Sequence, residues 1–120
     1  IGNPKVNLLD GFVVNGKAVK IGDFTIPMNT HCPICEVVVA VRPEDILLLT
    51  SPEPDAVEFT AYSVMPAGAD STIVAKRGEV EIIIKEMGIS KIKMDQKIWL
   101  KFNTDTLNLY DKESGDLVSV

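Results

Sequence analysis

Cysteine is scarce in this 120-residue chain, which has two, too few for the disulfide framework of a small secreted domain, where four or more are usual. A cytosolic setting fits better. No apolar run approaches the roughly 20 residues that a membrane-spanning helix needs. The opening residues, IGNPKVNLLDG, lack the basic start and apolar middle of a secretory signal. They also lack a methionine, and read as the start of a fragment of a longer chain. Basic residues are in the minority: 12 Lys and Arg against 17 Asp and Glu leave a net charge of −5. Such a surface repels phosphate backbones and anionic lipid, because both are bound through clustered Lys and Arg. Aromatics are few, and Phe12, Phe24, Phe59, Tyr62, Trp99, Phe102 and Tyr110 are scattered without basic flanks, unlike the stacking platforms of barrels that bind single-stranded nucleic acid. Nucleic acid is therefore not expected as a partner. No Gly-x-x-x-x-Gly-Lys-Ser/Thr run exists to cradle nucleotide phosphates, so this chain is not expected to hydrolyse ATP. Helical periodicity is missing as well, since every window is interrupted by Pro, Gly or a β-branched run.

What is present is ordinary globular composition, 46% hydrophobic with 24% charged, at a length that can bury roughly two-thirds of its unfolded surface in one core. Residues 1–120 are read as a single domain. Strand periodicity dominates. Val80, Ile82 and Ile84 alternate with Glu79, Glu81 and Lys85, Ile83 being the exception; Ile98, Leu100 and Phe102 alternate with Lys97, Trp99 and Lys101. Asn15-Gly16 between two β-prone runs predicts a hairpin, because a type I′ turn needs positive φ at both central positions. Gly22-Asp23 and Arg77-Gly78 predict further turns. The β-branched run Val37 to Val41 predicts a strand covered on both faces and stopped at Pro43. Short helical turns are expected at Pro43 to Ile46 and Thr104 to Thr106. The segment Ser51 to Asp55 reads as the loop joining two β subunits. These signals predict an all-β fold of short antiparallel strands in an OB-like small barrel, with one or two short helical turns.

Three segments together resemble one family. Val39 to Ile46, VAVRPEDI, resembles the G-[IV]-R-P-E-D/H-[IV] signature of the transport-associated OB (TOBE) domain in the ATPase subunits of binding-protein-dependent importers of the maltose type. Ile1 to Gly11 resembles I-G-x-P-x-M-N-x-L-x-G, and Lys101 to Leu117 resembles x-F-D-x-x-x-L-H-L-F-D-x-E-T-G-x-x-L. The motifs run in family order over essentially the whole chain. Departures are Ala40 for Gly, Val6 for Met, Asn103 for Asp, Asn108 for His, and a Cys-x-x-Cys inside Asn29 to Glu36.

The resemblance implies a C-terminal regulatory and dimerisation domain, with ATP and Mg bound only in a nucleotide-binding domain absent from this chain and no cofactor here. It implies as partners that ATPase domain, a second copy, and transmembrane permease subunits. The parent would be a transport ATPase on the cytoplasmic face of the membrane, serving sugars or related solutes. The alternative is an oxyanion sensor for molybdate or sulfate, as in related domains.

Candidate residues carry both a functional and a structural reading. Arg42, Pro43 and Glu44 are motif and interface candidates, yet Pro can simply end a strand while Glu44 and Asp45 favour a first helical turn and Arg42 pairs with one of them. Trp99, on the face opposite Ile98 and Leu100, is an interface candidate. Gly68, Ser71 and Thr72, with Lys76 and Arg77, are the ligand-loop candidates, since small residues and hydroxyls suit an anion; Pro66-Ala67-Gly68 is equally a turn. His31, Cys32 and Cys35 are weak metal candidates: a structural zinc needs four ligands, leaving a labile disulfide or an inert loop as alternatives. Asp105, Asp111, Glu113 and Asp116 lack the calcium-loop register. No catalytic residue is expected.

Overall fold

A computed structural model describes residues 6–120; the Ile1 to Lys5 part of the first motif lies outside them. Among the described residues the regular structure is β apart from one 3-10 turn at Pro43–Asp45. The strands are β1 (Asn7–Val14), β2 (Ala18–Ile21), β3 (Phe24–Pro27), β4 (Cys35–Val41), β5 (Ile46–Leu49), β6 (Val57–Ala67), β7 (Asp70–Arg77), β8 (Val80–Met87), β9 (Lys97–Phe102) and β10 (Asn108–Asp111). They form two antiparallel five-stranded sheets, ordered β10-β4-β1-β2-β3 and β5-β9-β6-β7-β8. In the second sheet the outer strands β5 and β8 approach each other, and the 3-10 turn packs against β8 with Pro43 buried. The sheet curls accordingly into an OB-like barrel, bearing out the expected all-β class.

Turn chemistry is as the residues demand. Asn15 and Gly16 have φ of 53° and 68°, and Lys17 N donates to Val14 O at 3.2 Å, the geometry of a type I′ turn. The predicted alternation also holds in β8 and β9, where Ile82, Ile84, Ile98 and Leu100 are fully buried. Two expectations are corrected. Val37, Val39 and Val41 face the core, but Val38 and Ala40 are only half-buried on the outer face, so β4 is covered on one side. The Ser51 to Asp55 segment connects β5 to β6 within one sheet. The chain instead crosses between sheets at Arg42–Asp45 and again at Asn103–Leu107, where Leu107 N and Thr106 N both donate to Asn103 O.

The sheets share one core running from Leu9 to Leu109 and are tied by specific contacts. The Phe24 ring of β3 meets Phe59 edge-on at 5.6 Å and stacks on Phe102 at 6.2 Å, both from the second sheet. Arg77 pairs with Asp23 at 2.8 Å and donates to Glu58 O at 2.9 Å. At Gly22, φ +57°, a Cβ would lie 2.9 Å from Val80 Cγ2, so the β2-β3 turn can approach β8 only as glycine. The tightest tie is Asn7, buried in β1: its Nδ2 donates to Ile83 O at 2.8 Å and its Oδ1 accepts from Ile83 N at 2.9 Å. One side-chain amide thus pairs with the free edge of β8 as another strand's peptide would.

Replacing Asn7 by Ala leaves the Ile83 N–H and C=O without these partners in a part-buried place. Urea unfolding is expected to show a loss of about 1–3 kcal/mol, the cost of removing the partners of two part-buried polar groups. Asn108→Ala, exposed on β10, should stay within about 0.5 kcal/mol; equal effects would refute the clamp.

Candidate functional site

Arg42 to Asp45 sits at the first crossing between sheets. Pro43 is buried while Arg42 and Glu44 are exposed, and Asp45 N donates to Arg42 O at 3.0 Å. The expected pairing of Arg42 with Glu44 or Asp45 is not among the ion pairs of the described residues. The motif's physical content is therefore the corner itself: extended Arg42, a φ-locked Pro43 and a short turn into β5.

Trp99 lies half-buried on the outer face of β9, opposite Leu49 of β5 and Glu58 of β6. Leu47, 56% exposed, and Lys101 stand beside it. This face combines a large aromatic, two leucines and flanking charges, the composition of an interface centre with a polar rim. Further along, Lys76 Nζ sits 3.7 Å from the Tyr62 ring centroid, where a bulge between Ala61 and Ser63 leaves Tyr62 outside the ladder.

The ligand-loop candidates do not converge. Gly68, φ +65°, forms the exposed tip between β6 and β7. Ser71 is buried, its Oγ donating to Gly88 O at 2.9 Å and accepting from Ser90 N at 3.0 Å, and so anchors the segment after β8. Thr72 is buried beside it. Lys76 and Arg77 lie at the other end of β7, about 15–20 Å away at strand rise, with Arg77 already paired to Asp23.

Cys32 and Cys35 are both free and half-buried, and together line an open cleft with Glu36, Asp111 and Glu113. His31 is exposed, and its N–H donates to Val118 O at 2.7 Å. Among the described residues no three His, Cys, Asp or Glu side chains are grouped to hold a metal. Burial, then the Cys32 thiol, then the Asp111 charge push the Cys35 thiol up to about 12. Asp111 organises the loop beyond β10: its Oδ1 accepts from Ser114 N and Glu113 N at 2.9 Å each. Those backbone donors, that of Ser114 foremost, hold its carboxyl below the usual value. Gly115, φ +80°, closes the turn. The closing motif is thus a turn built on an Asp and a Gly, and Asp105, Asp111, Glu113 and Asp116 lie in turns.

Two features escaped the sequence. The Asn7 clamp was visible only as a motif position. A cleft of about 590 Å³ between the sheets, with Thr25, Pro27, Asp55, Lys101 and Phe102 on its walls, has no linear signal, because it exists only where the two sheets meet.

No family model matches the chain. It is 28% identical over 123 aligned positions, covering 98% of this chain, to the sn-glycerol-3-phosphate import ATP-binding protein UgpC of Escherichia coli (strain UTI89 / UPEC). UgpC of Shigella boydii serotype 4 is 27% identical over the same span. The chain spans about a third of the length of these relatives, 34%. Its fold is similar to a molybdate-bound crystal form of the cytoplasmic molybdate-binding protein ModG, with TM-score 0.74, 14% identity, and coverage of 91% of this chain and 96% of that one. Motifs, fold and relatives together support a TOBE-type domain. No helix among the described residues is long and apolar enough to cross a membrane.

The Cys35 shift has a signed consequence. The folded thiol stays neutral above its ordinary value of 9.0, where the unfolded thiol has ionised, so folding is fully supported below about pH 9 and loses support as pH rises towards 12. Urea unfolding is expected to show Cys35→Ala gaining stability relative to the native chain over that window; a constant difference would count against the shift.

Proposed function

We propose that this chain is the regulatory and dimerisation domain of the ATP-binding subunit of an importer for sugars or related solutes, including polyol phosphates. Whole-chain similarity to one third of an import ATP-binding protein carries the reading. The missing two-thirds would supply the nucleotide and Mg sites and the contact with permease subunits, and the parent would act as a transport ATPase at the cytoplasmic membrane face. The domain supplies an anchor that keeps two ATPase subunits joined while their nucleotide domains open and close. Its contact surface is the outer face of β5 and β9, with Trp99 between Leu49 and Glu58 at the centre and Leu47 beside it.

Trp99→Asp tests that surface. The native chain is expected to sediment as a concentration-dependent dimer and the variant to associate more than tenfold more weakly, in line with loss of an aromatic anchor. Melting should shift only slightly, because Trp99 packs outside the core. A native chain that stays strictly monomeric at high micromolar concentration would sink dimerisation through this face, and outright unfolding of the variant would make Trp99 structural.

The ModG likeness favours a second reading, an oxyanion-sensing domain. Against it stand the engagement of the Ser71 hydroxyl by Gly88 and Ser90, the distance of Lys76 and Arg77, and the net charge of −5. Calorimetric titration with molybdate, tungstate and sulfate is expected to give no saturable heat; micromolar binding would put this reading first.

A further inference from the structure

Cys32 and Cys35 are the chain's two thiols, and the proposed anchor makes no use of them. Their loop is held from three sides. Gly16 N donates to Pro33 O at 2.9 Å, Thr30 Oγ1 to Cys32 O at 2.7 Å, and His31 N to Val118 O at 2.7 Å. The Cys32 thiol donates to Ile34 O at 3.2 Å and so lies over the peptide leading into Cys35. Cys35 in turn opens β4, fixed in the ladder opposite Val13. Two residues separate the cysteines, the spacing of dithiol–disulfide redox pairs, and both cysteines line one solvent-open cleft.

We propose that this loop is a thiol–disulfide exchange site for small cationic disulfides, with Cys32 as the attacking thiol and Cys35 as the resolving one. Cys32, as thiolate, attacks one sulfur of the small disulfide. Its S–S bond breaks, and one half leaves as a thiolate that takes up a proton, while the other half stays on Cys32 as a mixed disulfide. Cys35 then gives its proton to solvent and attacks the Cys32 sulfur, expelling the second half as a thiol. In sum two protein thiols and one small disulfide become an intraloop disulfide and two small thiols; the protein loses the two electrons that the small disulfide gains.

The assignment of roles follows from position. Cys32 sits in the loop, whereas Cys35 is rooted in the strand and keeps its proton to about pH 12. Resolution is consequently slow at neutral pH, and the mixed disulfide persists. Preference for a cation follows from the cleft's charges: Glu36, Asp111 and Glu113 face it, and the one Lys there, Lys112, is paired with Asp10 at 3.3 Å. His31, exposed, is the other titratable group of the loop and is not among the residues lining the cleft.

The test mixes the native chain with cystamine, quenches in acid and follows the products by mass spectrometry. An adduct of one half-cystamine is expected first. It should convert to the intraloop disulfide about tenfold faster per pH unit between pH 7 and 9, since only the thiolate attacks. Cys35→Ser should stop at the adduct, Cys32→Ser should react at least tenfold more slowly, and cystamine should outpace glutathione disulfide several-fold at low salt with the gap closing at high salt. The proposal is overturned if Cys32→Ser reacts as fast as the native chain, or if the native adduct never resolves. It is equally overturned if the folded chain forms no adduct under conditions where the urea-unfolded chain does. Faster reaction of glutathione disulfide would overturn the preference for cations.

Discussion

The amide of Asn7 is the contact on which the arrangement of the two sheets depends. A curled five-stranded sheet leaves its last strand with unpaired N–H and C=O groups, which otherwise attract another chain. Here Asn7 offers one donor and one acceptor to Ile83 at 2.8 and 2.9 Å, satisfying the edge from within. Apolar packing can slide, whereas a two-point hydrogen bond fixes distance and orientation together. Phe24 against Phe59 and Phe102, the close approach at Gly22 and the Arg77–Asp23 pair then fall into register around it.

That constraint gives the family motifs a common physical meaning. The first places the clamp, the second turns the chain from one sheet to the other, and the third returns it and closes a tight Asp111–Gly115 turn. None of the three supplies a nucleophile, although Asp111 and Glu113 of the third motif line the cysteine cleft. Sequence similarity carried by such motifs reports architecture, and function has to be sought on the faces they leave outside.

Much of the fold was legible because alternation and turn chemistry are local. Ile82 and Ile84, Ile98 and Leu100, and the Asn15-Gly16 turn obey rules that act over a few residues, and each lies where those rules put it. The sheet boundary was misplaced at Ser51 to Asp55 for the same reason. Two prolines mark a loop locally, but which sheet the flanking strands join is decided by pairing with β9, about 50 residues further on, which no local pattern encodes. Trp99 was placed on the outer face by strand phase alone. Ser71 illustrates the opposite limit: a hydroxyl near glycine suggests a ligand, and only the position of Gly88 and Ser90 shows that its bonds are already taken.

The strand order also governs how such a chain is made. β10, the last strand, pairs with β4 along Val37 to Ala40, so the first sheet cannot be completed until residues 108–111 exist. During vectorial synthesis the edge of β4 stands open while the whole second sheet is being produced. The finished topology is dominated by sequence-distant pairings, which places this domain among slow folders. A chain truncated before Leu107 would keep an intact second sheet beside a first sheet with a bare apolar edge, and aggregation rather than loss of barrel structure would be its characteristic failure.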